Sequence, residues 1–74
     1  MRDPKTTLQE WAQSRRGNAG APVYATIKRE GPDHAPHFIV EVRVAGHDPL
    51  TGEGRSKRDA EQDAAKKMLE KVRE

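Results

Sequence analysis

Ser56-Lys57-Arg58-Asp59-Ala60-Glu61-Gln62-Asp63-Ala64-Ala65-Lys66-Lys67-Met68-Leu69-Glu70-Lys71-Val72-Arg73 is the stretch that decides the fold. Ala60, Ala64, Ala65, Met68, Leu69 and Val72 recur at helical spacing and form one apolar stripe. Ser56 has the chemistry of an N-cap, and Asp59 stands three residues on in the capping-box position. The spacing predicts a helix over 57–73 with a single face to bury. A helix of this kind needs a surface to pack on, and the rest of the chain has to supply it.

Upstream, the clearest strand runs over 37–45, where Phe38, Val40, Val42 and Val44 alternate with Ile39, Glu41, Arg43 and Ala45. A second strand is predicted over 22–30, from Pro22 through Val23, Tyr24, Thr26 and Ile27. The intervening Gly31-Pro32-Asp33-His34-Ala35-Pro36 reads as a stiff loop, and Gly46-His47-Asp48-Pro49 as a turn. A short third strand is predicted over 50–55, weakened by Gly52 and Gly54. The chain starts with a helix over about 4–16: Pro4 suits a first helical position and Gly17-Asn18-Ala19-Gly20 stops it. Leu8, Trp11, Ala12 and the stem of Arg15 share one face of it, and Thr6, Gln9, Glu10 and Gln13 the opposite one. The order is α-β-β-β-α, with connections too short for crossovers. The expected fold is α+β, one domain over 1–74: a three-stranded antiparallel sheet packed on two helices on one face.

Composition narrows the function classes. The 74 residues contain 35% charged, 32% hydrophobic and 4% aromatic residues, so the core is small. Cysteine is absent, which rules out disulfides and thiolate metal cages. No apolar run approaches the roughly 20 residues that span a bilayer, and Met1 to Trp11 does not resemble a signal peptide, so a cytoplasmic protein is expected. The net charge is +2 and the pI about 9.2, a value associated with nucleic-acid binding. Residues 55–74 carry seven basic against five acidic side chains, and residues 21–54 three against five. A solvated surface accounts for that distribution as well as a nucleic-acid footprint does.

Three local features point further. Lys57 and Arg58 occupy the first turn of the last helix, the positive end of its dipole, where cations are unfavourable. Together with free N–H groups they make an anion site suited to phosphate, although two solvated cations are an equally good account. Thr6, Gln9, Glu10 and Gln13 can donate to or accept from ribose hydroxyls and base edges in a shallow groove, while an ordinary solvent face would look similar. His34, at the tip of the stiff loop, is placed to enter a groove. With His37 and nearby Asp33 it also makes an H-x-x-H spacing, but a proline-rich loop lacks the helical geometry of a metal site. Carboxylates scattered over exposed helical faces supply no catalytic residue for phosphodiester cleavage and no metal site.

Taken in order, these pieces resemble the double-stranded-RNA-binding domain family over nearly the whole chain. The resemblance is carried by Leu8-Gln9-Glu10-Trp11, Pro22-Val23-Tyr24, Glu30-Gly31-Pro32-Asp33-His34, the Phe38/Val40/Val42/Val44 strand, and Gly52-Glu53-Gly54-Arg55-Ser56-Lys57-Arg58 running into Asp59-Ala60-Glu61-Gln62-Asp63-Ala64-Ala65. Asp3 to Glu10 and Ala60-Glu61-Gln62 are most similar to the bacterial ribonuclease III subgroup, where the domain is C-terminal. Glu61 departs from the wider family, many members of which carry a third Lys there, although the ribonuclease III subgroup is similarly acidic. The resemblance implies shape-selective binding of double-stranded RNA, with B-form DNA rejected. Thr6, Gln9, Glu10 and Gln13 would lie in one minor groove, His34 in the next, and Ser56, Lys57 and Arg58 on phosphates between. It also implies that RNA cleavage, and the Mg²⁺ cofactor for it, belong to a separate homodimeric catalytic domain of a parent enzyme. This chain would then be a fragment without cofactor or activity of its own, Met1 being an added start. The alternative within the same fold is a protein-interaction or dimerisation module, which an exposed apolar patch around Ile39 and Ala45 would favour.

Overall fold

A computed structural model describes residues 3–14 and 20–72. The elements are α1 (Pro4–Ser14), β1 (Val23–Glu30), β2 (His37–Arg43), β3 (Leu50–Gly54) and α2 (Lys57–Val72). The strands form an antiparallel meander in the order β1-β2-β3. Arg15, Arg16, the Gly17-Asn18-Ala19 part of the helix stop, and Arg73 lie outside the described residues.

Alternation along β2 turns Val40 and Val42 into the core, both fully buried. The register sets Tyr24, Val42 and Leu50 in one inward row and Thr26, Val40 and Gly52 in the next. The β1–β2 register slips between Thr26 and Lys28, so Ile27 has no partner on β2 and the edge strand bulges there. Val23 and Ile27, both on β1, are the exposed large hydrophobics, not Ile39, which is half-buried. β2 ends at Arg43, two residues short of its expected end. The chain turns at once, with His47 N–H donating to Val44 O and Gly46 at φ +86°, while Val44 stays buried.

α2 lies on β2 and β3 and presents Ala60, Ala64, Ala65, Met68 and Leu69 inward. Gly52 permits the approach rather than merely weakening its strand. A Cβ at Gly52 would overlap the Ala64 backbone and sit 2.7 Å from Ala60 O. The alanines of α2 and the glycine of β3 bring helix and strand together with no side chain between them. α1 packs mainly against α2, burying Leu8 and Ala12 and half-burying Trp11, whose ring lies 5.5 Å from that of His47. Both helices thus sit on one face of the sheet, as the apolar stripes require.

Candidate nucleic-acid interface

Burying Leu8 and Ala12 turns Thr6, Gln9, Glu10 and Gln13 outward, and all four are exposed. Asp3 caps the helix: Thr6 N–H donates to its Oδ1 at 2.8 Å and Thr7 N–H to its backbone oxygen. The Thr6 amide, chiefly, holds the exposed Asp3 carboxyl below its ordinary pKa, with Arg58 adding to the effect.

The start of α1 is tied to α2 by Lys5. Its N–H donates to Gln62 Oε1 at 3.0 Å, its Nζ meets Glu61 Oε1 at 2.7 Å, and the ammonium stands 5.0 Å from the Tyr24 ring centre. Glu61 is therefore the counter-charge of Lys5, which gives a physical reason for the acid at this position. The Tyr24 hydroxyl is buried without a hydrogen-bond partner among the described residues. Desolvation, helped by the Glu61 and Asp3 carboxylates, pushes its pKa up to about 12. In front of this junction, Asp3, Lys5, Thr6, Gln9, Arg58, Glu61 and Gln62 line a cleft of about 500 Å³. It brings Thr6 and Gln9 of α1 together with Arg58 of α2, whereas Glu10 and Gln13 continue outward on the same helix face.

α2 starts as its cap chemistry dictates. Asp59 N–H donates to Ser56 Oγ at 3.0 Å, and the first helical bond runs from Ala60 N–H to Ser56 O. Lys57 and Arg58 are exposed and form no ion pair among the described residues, Arg58 acting on Asp3 only at longer range. The β1–β2 loop is braced internally, with Ala35 N–H donating to Pro32 O and Gly31 at φ +87°, where a Cβ would meet Ala35 O at 2.8 Å. His34 is exposed on this loop. His37 instead faces Glu53, Nε2 to Oε2 at 3.8 Å, so the two histidines of the H-x-x-H spacing have different surroundings. A second cleft, of about 530 Å³, is lined by His34, Ala35, Pro36, His37 and Arg55. Arg55 did not stand out in the sequence; the signal was a third cation beside the cap, one residue before Ser56.

Among the described residues, no three His, Cys, Asp or Glu side chains are grouped to hold a metal ion. Asp3, Asp63 and Glu61 are instead engaged in a cap, in a strand–helix tie and with Lys5. No helix among the described residues is long and apolar enough to cross a membrane.

An α-β-β-β-α layer with a polar outer helix face and exposed cations at a helix N-terminus has the features of a nucleic-acid-binding domain. The chain belongs to the double-stranded RNA binding motif family, which matches it over residues 4–72. Ribonuclease 3 of Brucella canis is 62% identical over 68 residues, covering 92% of this chain and 27% of that protein. Ribonuclease 3 of Brucella melitensis biotype 1 matches to the same extent. The chain therefore spans about a quarter of the length of these relatives. Among solved structures, Arabidopsis HYL1, described with its implications for miRNA processing, superposes with a TM-score of 0.80 at 32% identity, covering 96% of this chain and 97% of that one. A structure of both domains of DRB4 with their linker gives a TM-score of 0.70 at 38% identity, covering 93% of this chain and 43% of that one.

Proposed function

We propose that this chain binds double-stranded RNA by the shape of its A-form helix, as the RNA-recognition part of a ribonuclease III. The observation that carries this reading is the convergence of Thr6 and Gln9 with Arg58 on one cleft, beside the unpaired Lys57. Thr6, Gln9, Glu10 and Gln13 contact 2′-hydroxyls and base edges in one minor groove. The loop that carries His34 enters the next, and Ser56, Lys57 and Arg58 hold phosphates across the intervening major groove. The Ser56 hydroxyl accepts the Asp59 amide in the cap and keeps its own proton to donate. B-form DNA, with other groove widths and no 2′-hydroxyl, fits the arrangement poorly.

The name shared by the Brucella relatives supports a parent protein that cuts duplex RNA in the bacterial cytoplasm. We read the Mg²⁺-dependent, homodimeric catalytic part of that parent as separate from this chain, which covers 27% of the Brucella canis relative. Val23 and Ile27, exposed on β1, favour a protein contact as a second reading, but isolated apolar residues are common on soluble surfaces.

Competition titration tests the proposal. A duplex RNA of about 16 base pairs or longer is expected to bind with little sequence preference, and duplex DNA or single strands much more weakly. Equal affinity for duplex DNA would overturn recognition by shape.

A further inference from the structure

Arg55 lies between the end of β3 at Gly54 and the start of α2 at Lys57. It lines the loop-side cleft with His34 and His37, whereas Arg58, three residues on, lines the α1-side cleft with Thr6 and Gln9. The two arginines that flank Ser56 and Lys57 thus serve different clefts. Among the described residues, Arg55 is exposed and has neither a carboxylate nor a hydrogen-bond partner, while Lys28, Arg29 and Arg43 on or beside the sheet each hold an acid. The opposite wall is fixed. The β1–β2 loop is closed by the Ala35 N–H to Pro32 O bond and by the positive φ of Gly31, and Asp33 is held by Arg29 at 3.5 Å. Of the donors that line this cleft, His37 has Glu53 nearby, whereas His34 and Arg55 have no acid partner among the described residues.

We propose that Arg55 is a further RNA-binding residue: with His34 it holds a backbone phosphate of the duplex in the loop-side cleft. The inference rests on the duplex-RNA reading above. A guanidinium offers a planar fork of N–H donors that matches two phosphate oxygens, and an imidazole N–H adds a third donor. Arg55-Ser56-Lys57-Arg58 then runs along the phosphates from the loop-side groove contact to the α1-side one. Arg55 anchors the first end and Arg58 the second.

The test uses the 74-residue chain and a blunt RNA duplex of about 20 base pairs, titrated at several salt concentrations. Arg55→Gln is expected to weaken binding roughly fivefold at moderate salt and to lower the salt slope by roughly one. Arg55→Lys is expected to keep the slope while recovering only part of the affinity, because the ammonium lacks the fork. Neither change moves the Tm, since Arg55 is exposed and unpaired. The loss from Arg55→Gln is expected to overlap with that from His34→Ala, which shares the phosphate, and to add to that from Gln9→Ala, which does not. Strict additivity with His34→Ala would overturn the shared site. Wild-type affinity and slope in Arg55→Gln, with binding still weakened by Lys57→Ala and Arg58→Ala, would overturn the inference and leave the duplex-RNA reading standing. A wild-type chain that binds no duplex RNA overturns both.

Discussion

The cations on and beside the sheet and those at the β3–α2 junction are handled in opposite ways. Lys28 meets Glu30 at 3.2 Å, Arg29 meets Asp33 at 3.5 Å and Arg43 meets Glu41 at 2.6 Å. Arg55 and Lys57 have no acid partner among the described residues and Arg58 forms no ion pair there, feeling Asp3 only from a distance, and two of the three sit where a helix dipole disfavours them. A net charge of +2 hides this segregation. Neutralised cations contribute little to a field outside the protein, whereas unpaired ones held on a rigid junction are available to phosphates. The proposed binding side rests on the position of charge more than on its sum.

The largest way to break the contrast is to remove the scaffold beneath the junction. Gly52→Ala drives a methyl into the Ala64 backbone, where neither strand nor helix can yield cheaply. A loss on the order of 3 kcal/mol or more is expected for such overpacking, lowering the Tm by more than roughly 10 °C in a domain of this size. Thermal melts check this; an unchanged Tm would show that α2 can shift away from β3.

A direct test compares the two sets of cations. Lys57→Ala with Arg58→Ala is expected to weaken duplex-RNA binding by about tenfold or more and to flatten its salt dependence by roughly one to two phosphates' worth. Stability should be unchanged or slightly raised, because these charges oppose the dipole. Lys28→Gln with Arg43→Gln is expected to leave affinity within about twofold and stability within about 0.5 kcal/mol. Equal losses from both pairs, measured by titration over salt, would erase the distinction.

The smallest effect concerns acid. Asp63 accepts the Glu53 N–H at 2.9 Å and meets Lys67 Nζ at 3.1 Å, tying β3 to α2. Burial raises its pKa, but the Glu53 amide, Lys67 and Lys66 outweigh that and leave it below the ordinary 3.8. A carboxyl depressed on folding contributes stability that is present above its unfolded pKa and is lost as pH falls through the folded one. Denaturant melts of Asp63→Asn are expected to show a shallower loss of stability below pH 3.8 than the wild type. Identical acid limbs would remove Asp63 from the account of the junction.

Local repetition determined much of this protein. The alternation around Val40 and Val42, the stripe from Ala60 to Leu69, the Ser56 cap and the two faces of α1 are set by neighbours two to four residues apart, so they can be read along the chain. The order of five elements and their single buried face follow from those periods. Tertiary structure alone decided the rest. Gly52 looks like a weak point in a strand until Ala64 is seen against it. The bulge at Ile27 depends on the register with β2, and β2 stops at Arg43 because its pairing runs out there, at Val23 on β1 and Leu50 on β3. Glu61 looks like a missing cation until Lys5 is found 2.7 Å away. Which cleft Arg55 lines, and which cations lack an acid, depend on residues far apart in sequence. Those outcomes are contacts between elements, and periodicity within one element carries no information about them.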